Sequence, residues 1–464
     1  MKQNKAINFI SNYLLFFSAF AFVLFFLILS YYNRPTYDDL GNIYYAKGKN
    51  IFEYVKLFYD QYGGRWTSWA YIYIAFAARE NFQSIPVSVF IYYAITLFIF
   101  IYAAKEIIRI GAYKLFQVEL DKKTTITFSI LFIACFYFFT FNNIEAWWYI
   151  CSSFHYLQGI VFLLLGIAIL LKRNLKIRDH FLIAISFIYV GSGYEMYALI
   201  VGALLFSCIA YLYVKSKNTS FKGLTIAFVA LMVSTVVSVI APGNAERRSY
   251  FKENIAEYLH PVTFHDISEI LIQKKFLIAF ILSAAWLILG MKLKNSTAVL
   301  LNKKYVKNIF ILSISSILLS ILIPYAFAIV FTYGIIPPTR AWTFTSFAFA
   351  FFSCFSFLII GYNISFLNQS LRSLLALLVS ACILLLLTSN LYYQYNYASN
   401  YSKKYDQLIN SFLEAKKNKQ IAPFYMENLP DSGMLMQLNM NDPTSNPIYL
   451  KKILGIDFEI IVKQ

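Results

Sequence analysis

Apolar residues run along this chain in long unbroken blocks, parted by short polar or charged stretches. Blocks able to cross about 30 Å of hydrocarbon centre on residues 9–31, 86–104, 124–141, 156–171, 180–192, 196–214, 222–240, 276–291, 308–331, 341–360 and 373–389. They predict an all-α polytopic membrane protein of about eleven transmembrane helices. The first block, Phe9 to Tyr32, is too long for the apolar core of a cleaved signal peptide, and no small-residue cleavage site follows it, so it reads as a signal anchor. The fifth block is short, and Gly191-Ser192-Gly193 blurs its boundary with the sixth.

The polar intervals are unequal. The longest covers residues 32–85 and contains an amphipathic stretch, Ile51 to Tyr62, and an Ala- and Tyr-rich stretch, Gly64 to Arg79. The charge pattern allows one or three crossings between Tyr32 and Lys105, so the second stretch is expected to lie on the surface or dip part-way in. From about Tyr392 the pattern changes. Tyr405, Leu408, Ile409, Phe412 and Leu413 follow helical spacing and predict a helix from about Tyr401 to Lys417. Asn446 as N-cap, Pro447 at the first position and Gly455 past the end bracket a second helix, and Asp457 to Val462 alternates as a strand. The chain thus divides into a membrane domain, 1–391, and a small α+β extracytoplasmic tail, 392–464.

Composition agrees with lipid as part of the solvent. Of 464 residues 59% are hydrophobic, 19% aromatic and only 14% charged, more apolar surface than a soluble domain can bury. The formal net charge of +17 could suggest nucleic acid, but the cations sit in short runs between apolar blocks. Lys2 and Lys5, then Lys105 to Lys123, Lys172 to Arg178, Lys215 to Lys222, and Lys292 to Lys307 occupy alternate loops, which the positive-inside rule assigns to the cytoplasm. The N-terminus is then cytoplasmic and the C-terminus extracytoplasmic, with membrane lipids and not nucleic acid as surroundings. Four of the five cysteines, Cys135, Cys208, Cys354 and Cys382, fall inside apolar blocks and read as small buried hydrophobes.

Candidate chemistry gathers on the other set of loops. Asp38-Asp39 follows the first block, and Gly63-Gly64-Arg65-Trp66 lies in the same loop. Glu145 precedes Trp147 and Trp148; His155 and Gln158 open the fourth block; Glu195 follows Gly191-Ser192-Gly193. Ala241-Pro242-Gly243-Asn244-Ala245-Glu246-Arg247-Arg248 closes the seventh, and Pro337-Pro338-Thr339-Arg340 precedes the tenth. Ionisable groups at membrane depth are costly, so a set of them on one face points to a shared polar cavity. Transfer from a lipid phosphate needs guanidinium groups for its oxygens and a carboxylate to take a proton from an acceptor hydroxyl. Asp38 or Asp39 is the expected base, with Arg247, Arg248 and Arg340 as phosphate clamps and Arg65, Glu145, His155, Glu195 and Asn244 as further substrate contacts.

Plainer readings stand beside these. The Asp pair can cap and charge the first turn of a helix from Leu40 onward, and the arginines can be headgroup contacts. Trp147, Trp148 and Trp342 read first as interfacial belt residues and second as sugar-stacking platforms. A histidine at a helix end is more often structural than catalytic. Glu145, His155 and Glu195 have no metal-ligand spacing.

The acidic pair after the first span, the long first outer loop, the arginines at outer helix ends and the external tail resemble the GT-C superfamily of integral membrane glycosyltransferases. Within it, YDD, GGRW, EAWWYICSSFHYLQG, GSGYE, APGNAERR and the ending NPIYLKKILGIDFEIIV resemble a bacterial multi-pass family, DUF6056. The resemblance implies a polyprenyl-phosphate-sugar donor, an envelope glycan, lipid or protein acceptor, inversion at the anomeric carbon, and transfer on the outer face of the bacterial cytoplasmic membrane. By position Asp38 or Asp39 would match the base and Arg247, Arg248 or Arg340 the donor-phosphate contacts. Some enzymes of the superfamily use a divalent metal and others do not, so the cofactor stays open. Two rival functions are a transporter or flippase of polyprenyl-linked lipid or polysaccharide and a non-enzymatic scaffold. The first should show repeated halves and broken helices near the midplane, of which Pro324 is the one candidate. The second leaves the clustered charges without a role.

Overall fold

A computed structural model describes residues 2–79, 81–172, 174–215, 221–253, 274–296, 303–331, 339–364, 368–419, 422–438 and 446–462. The Pro337-Pro338 pair lies outside them. The helices of the first half are α1 (Lys2–Tyr32), α2 (Asp38–Ala46), α3 (Ile51–Gln61), α4 (Trp66–Ile72), α5 (Ile85–Phe116), α6 (Lys122–Phe139), α7 (Ile150–His155), α8 (Leu157–Leu170) and α9 (Ile177–Gly193). Then come α10 (Glu195–Lys215), α11 (Lys222–Val239), α12 (Pro242–Glu253), α13 (Lys274–Ser283), α14 (Ala285–Ser296), α15 (Lys303–Phe331), α16 (Thr343–Asn363), α17 (Gln369–Lys417) and α18 (Asn446–Leu454). A parallel pair, β1 (Phe424–Met426) and β2 (Ile460–Val462), completes the set, with Tyr425 opposite Ile461.

Among the described residues ten helices are long and apolar enough to cross a membrane. The fifth block, expected at 180–192, is helical as α9 but only 17 residues long, about 26 Å. It packs tightly on α11: a Cβ at Gly191 would meet the Leu231 carbonyl oxygen at 2.5 Å. The spans leave large apolar side chains open on their outer faces, among them Phe98, Val229, Leu318 and Leu385, as lipid contact requires. Cys382 is also exposed, so it is not the buried hydrophobe that its sequence context suggests.

The core lies where α1, α5 and α6 meet a π-helical turn, Ile144–Trp148. Trp147 and Trp148 are wholly buried there, packed on Phe26, Tyr93, Phe136 and Tyr137. The expectation of belt residues fails for these two. Each indole finds a buried acceptor instead, Trp147 Nε1 at Thr140 Oγ1 and Trp148 Nε1 at the Tyr137 hydroxyl, both 2.9 Å, which lets a Trp sit in a core.

The long interval between α1 and α5 is built of short helices. Asn50 accepts from the N–H groups of Phe52 and Glu53, and Glu53 returns a bond to Asn50 N–H, a capping box that starts α3. Helix α4 and a π-turn, Tyr73–Ala77, bury Ser68, Trp69, Ile72 and Phe76 and are far too short to cross. In the tail, the helix expected from Tyr401 is not separate: α17 runs 49 residues without a break through position 391/392. Its buried positions, Ala376, Ser380, Ile383 and Leu387 and then Gln394, Ala398, Tyr401, Tyr405, Leu408 and Phe412, form one stripe, and its membrane portion packs along α1.

Candidate functional site

The chain leaves α1 into a pinned turn. Asn33 Nδ2 donates to the Trp148 carbonyl at 2.8 Å. The Arg34 guanidinium donates to the carbonyls of Tyr31 and Asn33 and forks onto Asp406 of α17, Nε to Oδ1 at 2.8 Å and Nη2 to Oδ2 at 2.7 Å. The Tyr405 hydroxyl donates to the Pro35 carbonyl. This fixed turn holds Tyr37 at φ 40°, a left-handed conformation unfavourable for an aromatic residue and maintained only by its surroundings. Helix α2 begins immediately after it.

The two first-turn acids then diverge. Asp39 is fully buried; its Oδ1 accepts from Cys151 N–H at 2.7 Å and its Oδ2 from Thr36 N–H at 3.0 Å. Burial pushes its carboxyl well above the ordinary aspartate value of 3.8, against the pull of those two N–H groups, and the neighbouring Asp38 adds to the rise. Asp38 is exposed, and its backbone N–H donates to the Tyr149 hydroxyl at 2.9 Å. Burial, with Asp38 and Asp39 behind it, holds the Tyr149 phenol well above its usual range. Asp39 is therefore a structural tie, and Asp38 is the carboxylate the pair presents to solvent.

Glycines bring two distant motifs together. A Cβ at Gly64 would lie 1.8 Å from the Ser238 carbonyl oxygen, and one at Gly243 would lie 2.5 Å from Gly63 N. Only bare backbone fits at either position, so GGRW seats against the end of α11 and the start of α12. Asn244 Nδ2 donates to the carbonyls of Ser238 and Val239, 2.7 and 3.2 Å, closing α11, which is a structural use of an expected substrate contact. The seat holds Arg65 beside Glu195, Nε to Oε2 3.5 Å, and over the Tyr194 ring at 5.0 Å. Burial disfavours its charge, but Glu195, Tyr156 and Tyr194 outweigh that and keep it firmly cationic.

Arg247 joins this group from α12. Its side chain is open to solvent, yet surrounding protein lowers its pKa, with Arg65 adding repulsion and Glu195, Tyr156 and Tyr194 opposing. Arg248 is the next residue on the helix, about 100° around it, and exposed. Arg340 pairs with Glu145, Nη1 to Oε2 3.1 Å, and both Arg340 and Arg65 lie close to the Tyr156 hydroxyl. His155 is buried beneath, edge-on to Trp69 at 4.9 Å, within electrostatic reach of Arg65, Arg247 and Arg340; its Nδ1 meets no hydrogen-bond partner among the described residues.

Of the residues expected from sequence, then, Arg65, Glu145, His155, Glu195, Arg247 and Arg340 converge, with Asp38 linked to them through Tyr149, near which Arg340 also lies. The tyrosines at the centre, Tyr149, Tyr156 and Tyr194, belong to the motifs WWYICSSFHY and GSGYE but carry no charge that would single them out. Among the described residues no three His, Cys, Asp or Glu side chains are grouped to hold a metal ion, and both Asp39 oxygens already accept N–H groups. The arrangement can bind an anion among arginines and accept a proton beside them. Comparison of the chain with models of known families, with curated proteins and with solved structures gives no match.

Proposed function

We propose that this protein is a membrane glycosyltransferase that moves a sugar from a polyprenyl-phosphate donor to an envelope glycan, lipid or protein acceptor. One observation carries the reading: three guanidinium groups, Arg65, Arg247 and Arg340, lie within electrostatic reach of His155, and Tyr149 links them to an exposed carboxylate, Asp38, in a chain whose helices suit a membrane. In the proposed reaction the acceptor hydroxyl gives its proton to the Asp38 carboxylate as its oxygen bonds to the anomeric carbon. The bond from that carbon to the phosphate oxygen breaks on the opposite face, so the configuration inverts. The leaving lipid phosphate keeps the bonding pair, and the arginines stabilise the charge that develops. Asp39 is buried with both carboxyl oxygens already accepting backbone N–H groups, so Asp38 is the member of the pair assigned as base. The reading places the cluster on the extracytoplasmic side of a bacterial cytoplasmic membrane, with the lysine-rich loops and the N-terminus inside.

The test is transfer from a panel of radiolabelled polyprenyl-phosphate sugars by the full chain in lipid nanodiscs. Wild type should transfer from at least one donor, and Asp38→Asn should lose about a hundredfold or more of that rate with its melting temperature unchanged, the scale expected of a general base. Donor movement across vesicles with no transfer, unaffected by Asp38→Asn, would instead favour a flippase.

A further inference from the structure

Where the tail meets the first long loop, next to Asp38, there is a patch of tyrosines that the proposed reaction does not use. Helix α2 presents Asp38, Gly41 and Tyr45 at i, i+3 and i+7, one stripe along its length. The Tyr449 ring, from α18, lies over the bare backbone of Gly41, 3.6 Å from where a Cβ would stand. Its hydroxyl is 3.2 Å from that of Tyr45, with the two rings 5.9 Å apart and inclined at 64°. Tyr62, at the end of α3, sets a third ring 6.4 Å from Tyr45. Tyr44 sets a fourth 5.9 Å from Tyr449, its face covered by the Lys452 ammonium at 5.1 Å. All four rings keep open surface, Tyr62 most of all at 43%. Asp38 is close enough for its charge to act on Tyr62 and Tyr449.

Tyr54, by contrast, is fully buried with its hydroxyl bonded to Asn42. Here the rings stay partly open, and the Tyr45 and Tyr449 hydroxyls meet each other, which leaves donor and acceptor capacity at the rim. Apolar faces edged by hydroxyls match a pyranose, which has C–H groups on its faces and hydroxyls around its edge. A phosphate or nucleic acid would need free cations, whereas Lys452 lies over Tyr44 and the Asp38 carboxylate acts on Tyr62 and Tyr449.

We propose that Tyr45, Tyr62 and Tyr449 form a saccharide-binding subsite, completed by the tail helix α18, that holds a neutral oligosaccharide with its end towards Asp38. It rests on the transferase reading for the role of that sugar as acceptor, while binding itself needs no transfer. Saturation-transfer NMR on the full chain in nanodiscs, with chitotetraose, cellotetraose and maltotetraose as probes, tests it. At least one probe should receive magnetisation, Tyr45→Ala and Tyr449→Ala should each weaken its binding about tenfold, and Tyr449→Phe, which keeps the ring and the fold, about threefold. No signal from any of the three, or a signal unchanged in all three variants, overturns the subsite. Binding without transfer from any donor would leave the subsite standing and remove the transferase; transfer without binding would do the reverse.

Discussion

Asp38 and Asp39 are neighbours in sequence with opposite surroundings, and the contrast makes a prediction in pH. Asp39 has its pKa raised by burial, so the folded chain keeps this proton at pH values where the unfolded chain has released it. Its contribution to stability is complete below the ordinary value of 3.8 and is lost as pH rises toward the elevated folded value. Melting temperature in detergent should therefore fall with rising pH above 3.8 through this group, and Asp39→Asn should flatten that part of the profile. The same variant should cost about 1–3 kcal/mol overall, because its amide nitrogen must face one of the N–H groups of Thr36 and Cys151. A wild-type profile no steeper than that of the variant would contradict this assignment. Among the cations, Arg340→Lys keeps the charge but loses the planar fork towards Glu145 and Tyr156, so in the transfer assay it should cost about tenfold while melting stays within a few degrees.

At the scale of elements, the site depends on close backbone contact more than on side chains. Gly64→Ala would drive a methyl group into the Ser238 carbonyl and push the segment bearing Arg65 off the start of α12. It should cost about 1–3 kcal/mol, seen as lowered melting temperature, and reduce transfer as well. Equal stability and activity would show that the two segments do not seat as described. These contacts also explain what the sequence could and could not reveal. The apolar blocks were legible because lipid imposes a length, and α3 because the stretch Ile51 to Tyr62 is amphipathic. That Arg65 and Arg247 belong to one group was legible from their common face, but the means was not, since it rests on two glycine contacts between residues far apart in the chain. Trp147 and Trp148 misled for a related reason: their partners, Thr140 and Tyr137, become acceptors only once the π-turn folds back on α6. Tyr37 gave no signal at all, because its left-handed backbone is imposed by the turn around it.

At the scale of the molecule, the tail and the membrane bundle share one helix. Inserting a single alanine after Asn390 would turn everything beyond it by about 100° and lift it about 1.5 Å. The Arg34–Asp406 fork and the Tyr405 bond to Pro35 would both be lost, and limited proteolysis should then cut the tail readily in the insertion variant and slowly in wild type. Unchanged protection would mean that the tail is anchored by other contacts. The continuity of α17 has a mechanical consequence. Its portion beyond residue 391 is a rigid arm of about 40 Å, so a change of about 5° in the tilt of the membrane portion moves the far end by roughly 3.5 Å. Bilayer thickness sets helix tilt, and the far end belongs to the unit that carries Tyr449. Acyl-chain length thus becomes an input to the tail, and under the proposed transferase function the rate in nanodiscs should pass through an optimum as the lipid tails are lengthened.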